Sequence, residues 1–132
     1  MSFLLDTDIC SAFLKGNSHV WTKVLQHSGR HHVSAITVGE LYTWALRVSA
    51  PAARQRALEE LLGSVQIEDV TRAVGRRFGE LRSALLDSGQ PAPDLDLLIG
   101  ATALVNDLTL VTHNGSDYAR IPGLRVEDWI TS

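Results

Sequence analysis

At 132 residues, 45% hydrophobic and 20% charged, the chain carries enough apolar material for one packed core and too little charge for a disordered one. Its net charge of −3 and pI near 5.9 argue against broad, non-specific affinity for nucleic acid but allow a local basic patch beside an acidic centre. A lone cysteine, Cys10, excludes an intrachain disulfide and fits a reducing cytoplasm. The opening residues offer neither a basic segment nor a long apolar run, so neither a signal peptide nor a membrane span is expected.

Phe3-Leu4-Leu5 reads as a buried first strand that ends in Asp6-Thr7-Asp8. Ile9 to Leu14 reads as a helix stopped near Gly16-Asn17, and His19 to Gln26 as a second one. His32 to Ala35 is the expected second strand. Thr37-Val38-Gly39-Glu40 has the Thr-x-x-Glu form of a capping box, so a helix is expected to open at Thr37, with Leu41, Trp44, Ala45 and Val48 along its apolar stripe. A helix over Ala52 to Leu62 and a short strand Val65 to Ile67 follow. Asp69 or Thr71 caps a long helix with Val74, Phe78, Leu81 and Leu85 on one face, closed by Ser88-Gly89.

Pro91 and Pro93 keep the next residues extended, and Asp94 fits the N-cap of a buried helix. On that helix Leu95, Leu98, Ile99 and Thr102 share one face, and Asp96, Gly100 and Ala103 a second one. Leu108 to Thr112 is the strongest strand pattern in the chain and runs into the loop His113 to Asp117. Pro122-Gly123 turns the chain into a last edge strand, Leu124 to Trp129. Strands alternating with helices predict one α/β domain over residues 1–132, with a mostly parallel sheet and ligands bound beyond the strands' carboxyl ends.

Four acids fall at strand ends or helix starts: Asp6, Glu40, Asp96 and Asp117. Converging carboxylates raise one another's pKa, and a fold tolerates them readily when a cation neutralises them. Hard oxygen donors suit Mg²⁺ or Mn²⁺, and no Cys/His spacing suggests zinc. Each acid also has a plainer role open to it: Asp6 and Asp117 as caps, Glu40 as the capping-box partner of Thr37.

In this order, Leu4-Leu5-Asp6-Thr7-Asp8, Ser34-Ala35-Ile36-Thr37-Val38-Gly39-Glu40-Leu41, Asp96-Leu97-Leu98-Ile99-Gly100-Ala101-Thr102-Ala103-Leu104 and Leu110-Val111-Thr112-His113-Asn114-Gly115-Ser116-Asp117-Tyr118 resemble the PIN domain. They resemble most closely the VapC-type toxins of bacterial toxin–antitoxin pairs, as does the ending Arg120 to Trp129. The resemblance implies a three-layer α/β/α fold with a four- to five-stranded sheet. It also implies a cytoplasmic, Mg²⁺- or Mn²⁺-dependent endoribonuclease, commonly dimeric and held inactive by a VapB-like antitoxin. Asp6, Glu40, Asp96 and Asp117 match the family's catalytic acids, with Asp6, Asp96 and Asp117 on the metal side and Glu40 polarising the attacking water or completing the metal shell. Thr7, Asp8, Asp94, Thr112 and Asn114 are expected to support them, as is Ser34 unless it only caps. Asp8 stands where the family often has Asn, and Asp94 where many members are neutral. Gly100 replaces a common Ala and Tyr118 a common Phe, neither with an expected effect on the chemistry.

Arg72, Arg76, Arg77 and Arg82 on the long helix are candidates to track an RNA backbone, against the alternative of a solvated face balanced by Glu68, Asp69 and Glu80. Arg30, His31 and His32 read as loop. Trp21, Trp44 and Trp129 read as packing residues rather than base-stacking ones. Two other functions remain open: a haloacid-dehalogenase-like phosphatase, from the Asp6-x-Asp8 strand end, and a non-catalytic module on the PIN fold.

Overall fold

The computed structural model describes residues 1–131; Ser132, the last residue of the expected domain, lies outside them. Five strands form one sheet: β1 (Phe3–Leu5), β2 (His31–Ser34), β3 (Gln66–Glu68), β4 (Thr109–Val111) and β5 (Val126–Glu127). Every pair is parallel, in the order β3-β2-β1-β4-β5. The order reverses beside β1, so the β1/β4 crevice is the switch point where a ligand site is expected.

The helices cover both faces, and the strand residues divide between them with the period of two that pleating imposes. Phe3, Leu5, Val33 and Val111 face α1 (Thr7–Leu14), α2 (Ser18–Gln26), α3 (Ala35–Leu46) and α4 (Ala52–Gly63). Leu4 and Leu110 face α5 (Arg72–Asp87) and α6 (Asp94–Val105). Helix α6 is buried nearly all round after its first turn, at Leu97 and from Ile99 to Ala103. Leu95, expected inward, is exposed. Gly100 sits at a close approach: a Cβ there would lie 2.5 Å from Ile121 Cδ1, the tip of a side chain that would have to shift.

Several boundaries differ from the sequence expectation. Helix α3 opens at Ala35 because Ser34, the last residue of β2, caps it, its Oγ accepting from Thr37 N at 3.1 Å. Glu40 therefore lies in the second turn, not the first, and takes no part in a capping box. Val48 lies beyond the end of α3. Helix α6 begins at Asp94 itself, with Pro93 as the N-cap residue and no side-chain cap. Asp94 is not the cap, because its carboxylate is turned to Arg82 on α5 (3.2 Å). His31 and His32 belong to β2 rather than to a loop. His31 is buried against the Val24 carbonyl (2.9 Å), and His32 meets Glu68 across the β2/β3 pair at 2.7 Å.

The tryptophans pack as expected. Trp129 is buried against Phe3, with ring centroids 5.0 Å apart, Trp21 stacks on Phe13 at 4.3 Å, and Trp44 lies 4.6 Å below the Arg54 guanidinium.

Candidate active site

Strand β1 ends at Leu5, and the next residue turns the chain into α1. Asp6 is the N-cap of that helix, so the backbone itself fixes the carboxylate at the switch point: Oδ1 accepts from Thr7 N at 2.8 Å. Its other oxygen, Oδ2, accepts from Thr112 Oγ1 (2.8 Å) and from the Tyr118 hydroxyl (2.9 Å). Thr112 follows β4, and Tyr118 closes the 3₁₀ turn Gly115–Tyr118, so the β1 and β4 ends are tied through one buried carboxylate.

In the first turn of α1, Asp8 Oδ2 accepts from His113 N (2.9 Å) and Asn114 Nδ2 (3.1 Å), with Thr112 Oγ1 3.4 Å away. Asp8 Oδ1 is buried and has no partner. Burial, reinforced by the charge of Asp6, pushes the Asp8 carboxyl above its ordinary pKa. A third acid joins from α3: Glu40 Oε1 accepts from Thr7 Oγ1 at 2.6 Å, and Thr7 in turn meets Thr37 at 3.1 Å. The expected capping partner of Thr37 thus reaches across to α1 instead.

Asp96, in the first turn of α6, completes the cluster. Partial burial and then the charges of Asp6, Asp117 and Glu40 raise its pKa, opposed by hydrogen bonding from Tyr118. Asp117 is exposed on the 3₁₀ turn. The structure thus brings Asp6, Asp8, Glu40, Asp96 and Asp117 to one sheet edge, with Thr7, Thr112 and Asn114 as donors among them. It does not bring Asp94 into that set, and Ser34 works as a cap. Tyr118 is the contact at this site that sequence reading passed over: its hydroxyl donates to the central acid. The signal was the polar atom itself, at a position where a purely apolar role needs none.

The four arginines do not lie together at this edge. Arg82 reaches the start of α6 through Asp94, whereas Arg76 and Arg77 line a depression with Leu104 and Val105 at the other end of that helix. The stretch of α6 from Asp96 to Leu104 and Val105 spans about 12–14 Å, which sets Arg76 and Arg77 apart from the acids. Arg76 and Arg77 are paired with Glu80 at 3.9 and 3.4 Å.

As arranged, no three His, Cys, Asp or Glu side chains among the described residues form a ready-made metal cage. The donor set nevertheless fits a hard divalent cation. It consists of carboxylate oxygens, one of them buried without a partner. Among the described residues no Lys, Arg or His is ion-paired with Asp6, Glu40, Asp96 or Asp117.

Residues 3–124 match the family model of the PIN domain. The tRNA(fMet)-specific endonuclease VapC of Salmonella typhimurium is 29% identical over 130 residues, which cover 98% of each chain. Among solved structures, the DNA-bound VapBC of Salmonella typhimurium superposes with a TM-score of 0.92 at 29% identity, over 98% of each chain. VapBC2 of Rickettsia felis, bound to a DNA fragment from its promoter, gives 0.90 at 28% identity, over 98% of this chain and 99% of that one.

Proposed function

The chain belongs to the PIN domain family, and from that premise we infer that it is a VapC-type ribonuclease, the toxin of a VapBC-like toxin–antitoxin pair. The observation that carries the reading is the charge balance around Asp96: the carboxylates of Asp6, Glu40 and Asp117 act on it with no paired cationic side chain among them. Relatives of nearly the same length are named as endonucleases and solved as VapBC complexes, which supports an RNA substrate and a VapB-like protein partner. The family match does not favour the haloacid-dehalogenase-like alternative, and the full acid set speaks against a non-catalytic module.

In this reading Mg²⁺ or Mn²⁺ supplies Lewis acidity and an acidified water. Asp6, Asp96 and Asp117 would hold the ion. Thr7 N and Thr112 fix the Asp6 carboxylate so that its orientation does not depend on the ligand. Glu40 is held through Oε1 by Thr7, which leaves Oε2 to take a proton from the attacking water. Asp8 joins His113 and Asn114 to the start of α1 and so sets the β4 loop that carries Asp117. Arg82 is the arginine placed to meet a phosphate near the cut, and Arg72, Arg76 and Arg77 would meet RNA only further along.

Among the described residues no helix is long and apolar enough to cross a membrane. A cytoplasmic location and a homodimer complete the proposal.

Purified protein should cut single-stranded or loop RNA with Mg²⁺ or Mn²⁺ and stop when the metal is chelated. Asp6→Asn should lose at least about 100-fold, since even outer-shell partners of a metal are worth that much. Cleavage that continues undiminished in excess EDTA would remove the metal from the proposal.

A further inference from the structure

The Tyr118 side chain is 2% exposed, packed in the α5–α6 half of the core, and its backbone is fixed by the 3₁₀ turn and by Ile121 N donating to its carbonyl at 3.1 Å. Its hydroxyl donates to Asp6 Oδ2 at 2.9 Å. A carboxylate oxygen has two in-plane lone pairs. On Asp6 Oδ2 both are taken, one by Thr112 and one by Tyr118. Thr112 is anchored a second time, because its Oγ accepts from Asn114 N at 3.1 Å. Tyr118 has no second anchor of that kind among the described residues.

We propose that Tyr118 is a positioning residue whose hydroxyl occupies Asp6 Oδ2 in the metal-free protein and competes with the cation for that oxygen. The phenolic proton offsets part of the Asp6 charge while the site lacks a cation, and it has to leave Oδ2 before that lone pair can face one. Tyr118 therefore stabilises the empty site and weakens metal binding. A Phe side chain at this position would fill the same apolar space and make no such bond. The inference rests on the acids being the cation site.

The test is Mg²⁺ affinity, read by titration calorimetry, together with metal-free melting of wild type and Tyr118→Phe. Losing one hydrogen bond to a charged group should tighten Mg²⁺ binding about tenfold in Tyr118→Phe and lower its metal-free midpoint. Unchanged or weaker Mg²⁺ binding in Tyr118→Phe, with normal saturable binding in wild type, overturns this inference and leaves the metal reading standing. No saturable binding to wild type overturns both.

A second measurement does not depend on Tyr118→Phe folding. The chain has two tyrosines and three tryptophans, so in Tyr42→Phe the tyrosine band, resolved from the tryptophans in the second-derivative near-UV spectrum, reports Tyr118 alone. Saturating Mg²⁺ should shift that band to the blue as the phenol stops donating to a carboxylate. An unmoved or red-shifted band overturns the proposal.

Discussion

Helix α5 and the carboxyl edge of the sheet both carry dense charge, and they handle it differently. Along α5, Arg76 and Arg77 meet Glu80, and Arg82 meets Asp94, all on exposed side chains. At the sheet edge, Asp6 and Asp8 are met by hydroxyls and amides, Glu40 by the Thr7 hydroxyl, and none of these contacts brings a full positive charge. Neutral donors fix where a carboxylate points without cancelling its field. Arg76, Arg77 and Arg82 thus have opposite charges within the molecule, whereas the acids at the edge are oriented but left for something from outside. Asp128, just past β5, shows the edge is not acidic by necessity. Burial pushes its pKa up, but hydrogen bonds from Thr131, Ile130 and His113 outweigh it and bring the group down to about 2.

Three variants would break or sharpen this contrast. The largest effect belongs to Thr112→Val, which strips a donor from the buried Asp6 carboxylate. It should cost about 1–3 kcal/mol in urea unfolding, the range for an under-satisfied buried group. A cost no larger than that of a surface pair would erase the distinction between the two regions.

Asp128→Asn comes next, at about 1 kcal/mol near neutral pH. Its folded pKa lies below the unfolded value of 3.8, so the charged group's contribution is fully present above the unfolded value. That contribution is lost as the pH falls through about 2. The stability gap between wild type and Asp128→Asn should therefore be flat above pH 5 or so and close as the pH approaches about 2. A gap that widens on acidification would contradict the assignment.

The smallest effect is expected of Asp94→Asn, which breaks the exposed pair to Arg82. It should cost about 0.2–1 kcal/mol and less in high salt. A large, salt-independent loss would mean that Asp94 belongs with the buried acids after all.

Much of this was legible in the chain, and the exceptions have physical causes. Short apolar runs ending in acids, alternating with helical stripes, are enough to place β1, β4 and the parallel sheet, because both signals are local. Helix starts were less legible. A capping box at Thr37 and a cap at Asp94 are good local chemistry, but Ser34 is available earlier in the first case, and Arg82 draws the carboxylate away in the second. The spread of the arginines along α5 was hidden as well, since one helix face looks continuous in sequence while Arg82 meets the start of α6 and Arg76 and Arg77 lie beside its end. Tyr118 shows the same limit at a single atom: no spacing rule says that a hydroxyl more than a hundred residues from Asp6 will rest on it.

If the carboxyl edge is kept acidic for a cation at the expense of stability, paired melts of wild type and Asp96→Asn will show it. Asp96 gains about 0.3–1 kcal/mol from its place in the first turn of α6. Its raised pKa shows that burial and the neighbouring acids outweigh that gain. Without metal, Asp96→Asn should melt at or above the wild-type midpoint. With Mg²⁺, wild type should rise by mass action and Asp96→Asn should rise less. A metal-free Asp96→Asn that melts far below wild type would make Asp96 a structural residue of α6 and contradict the account.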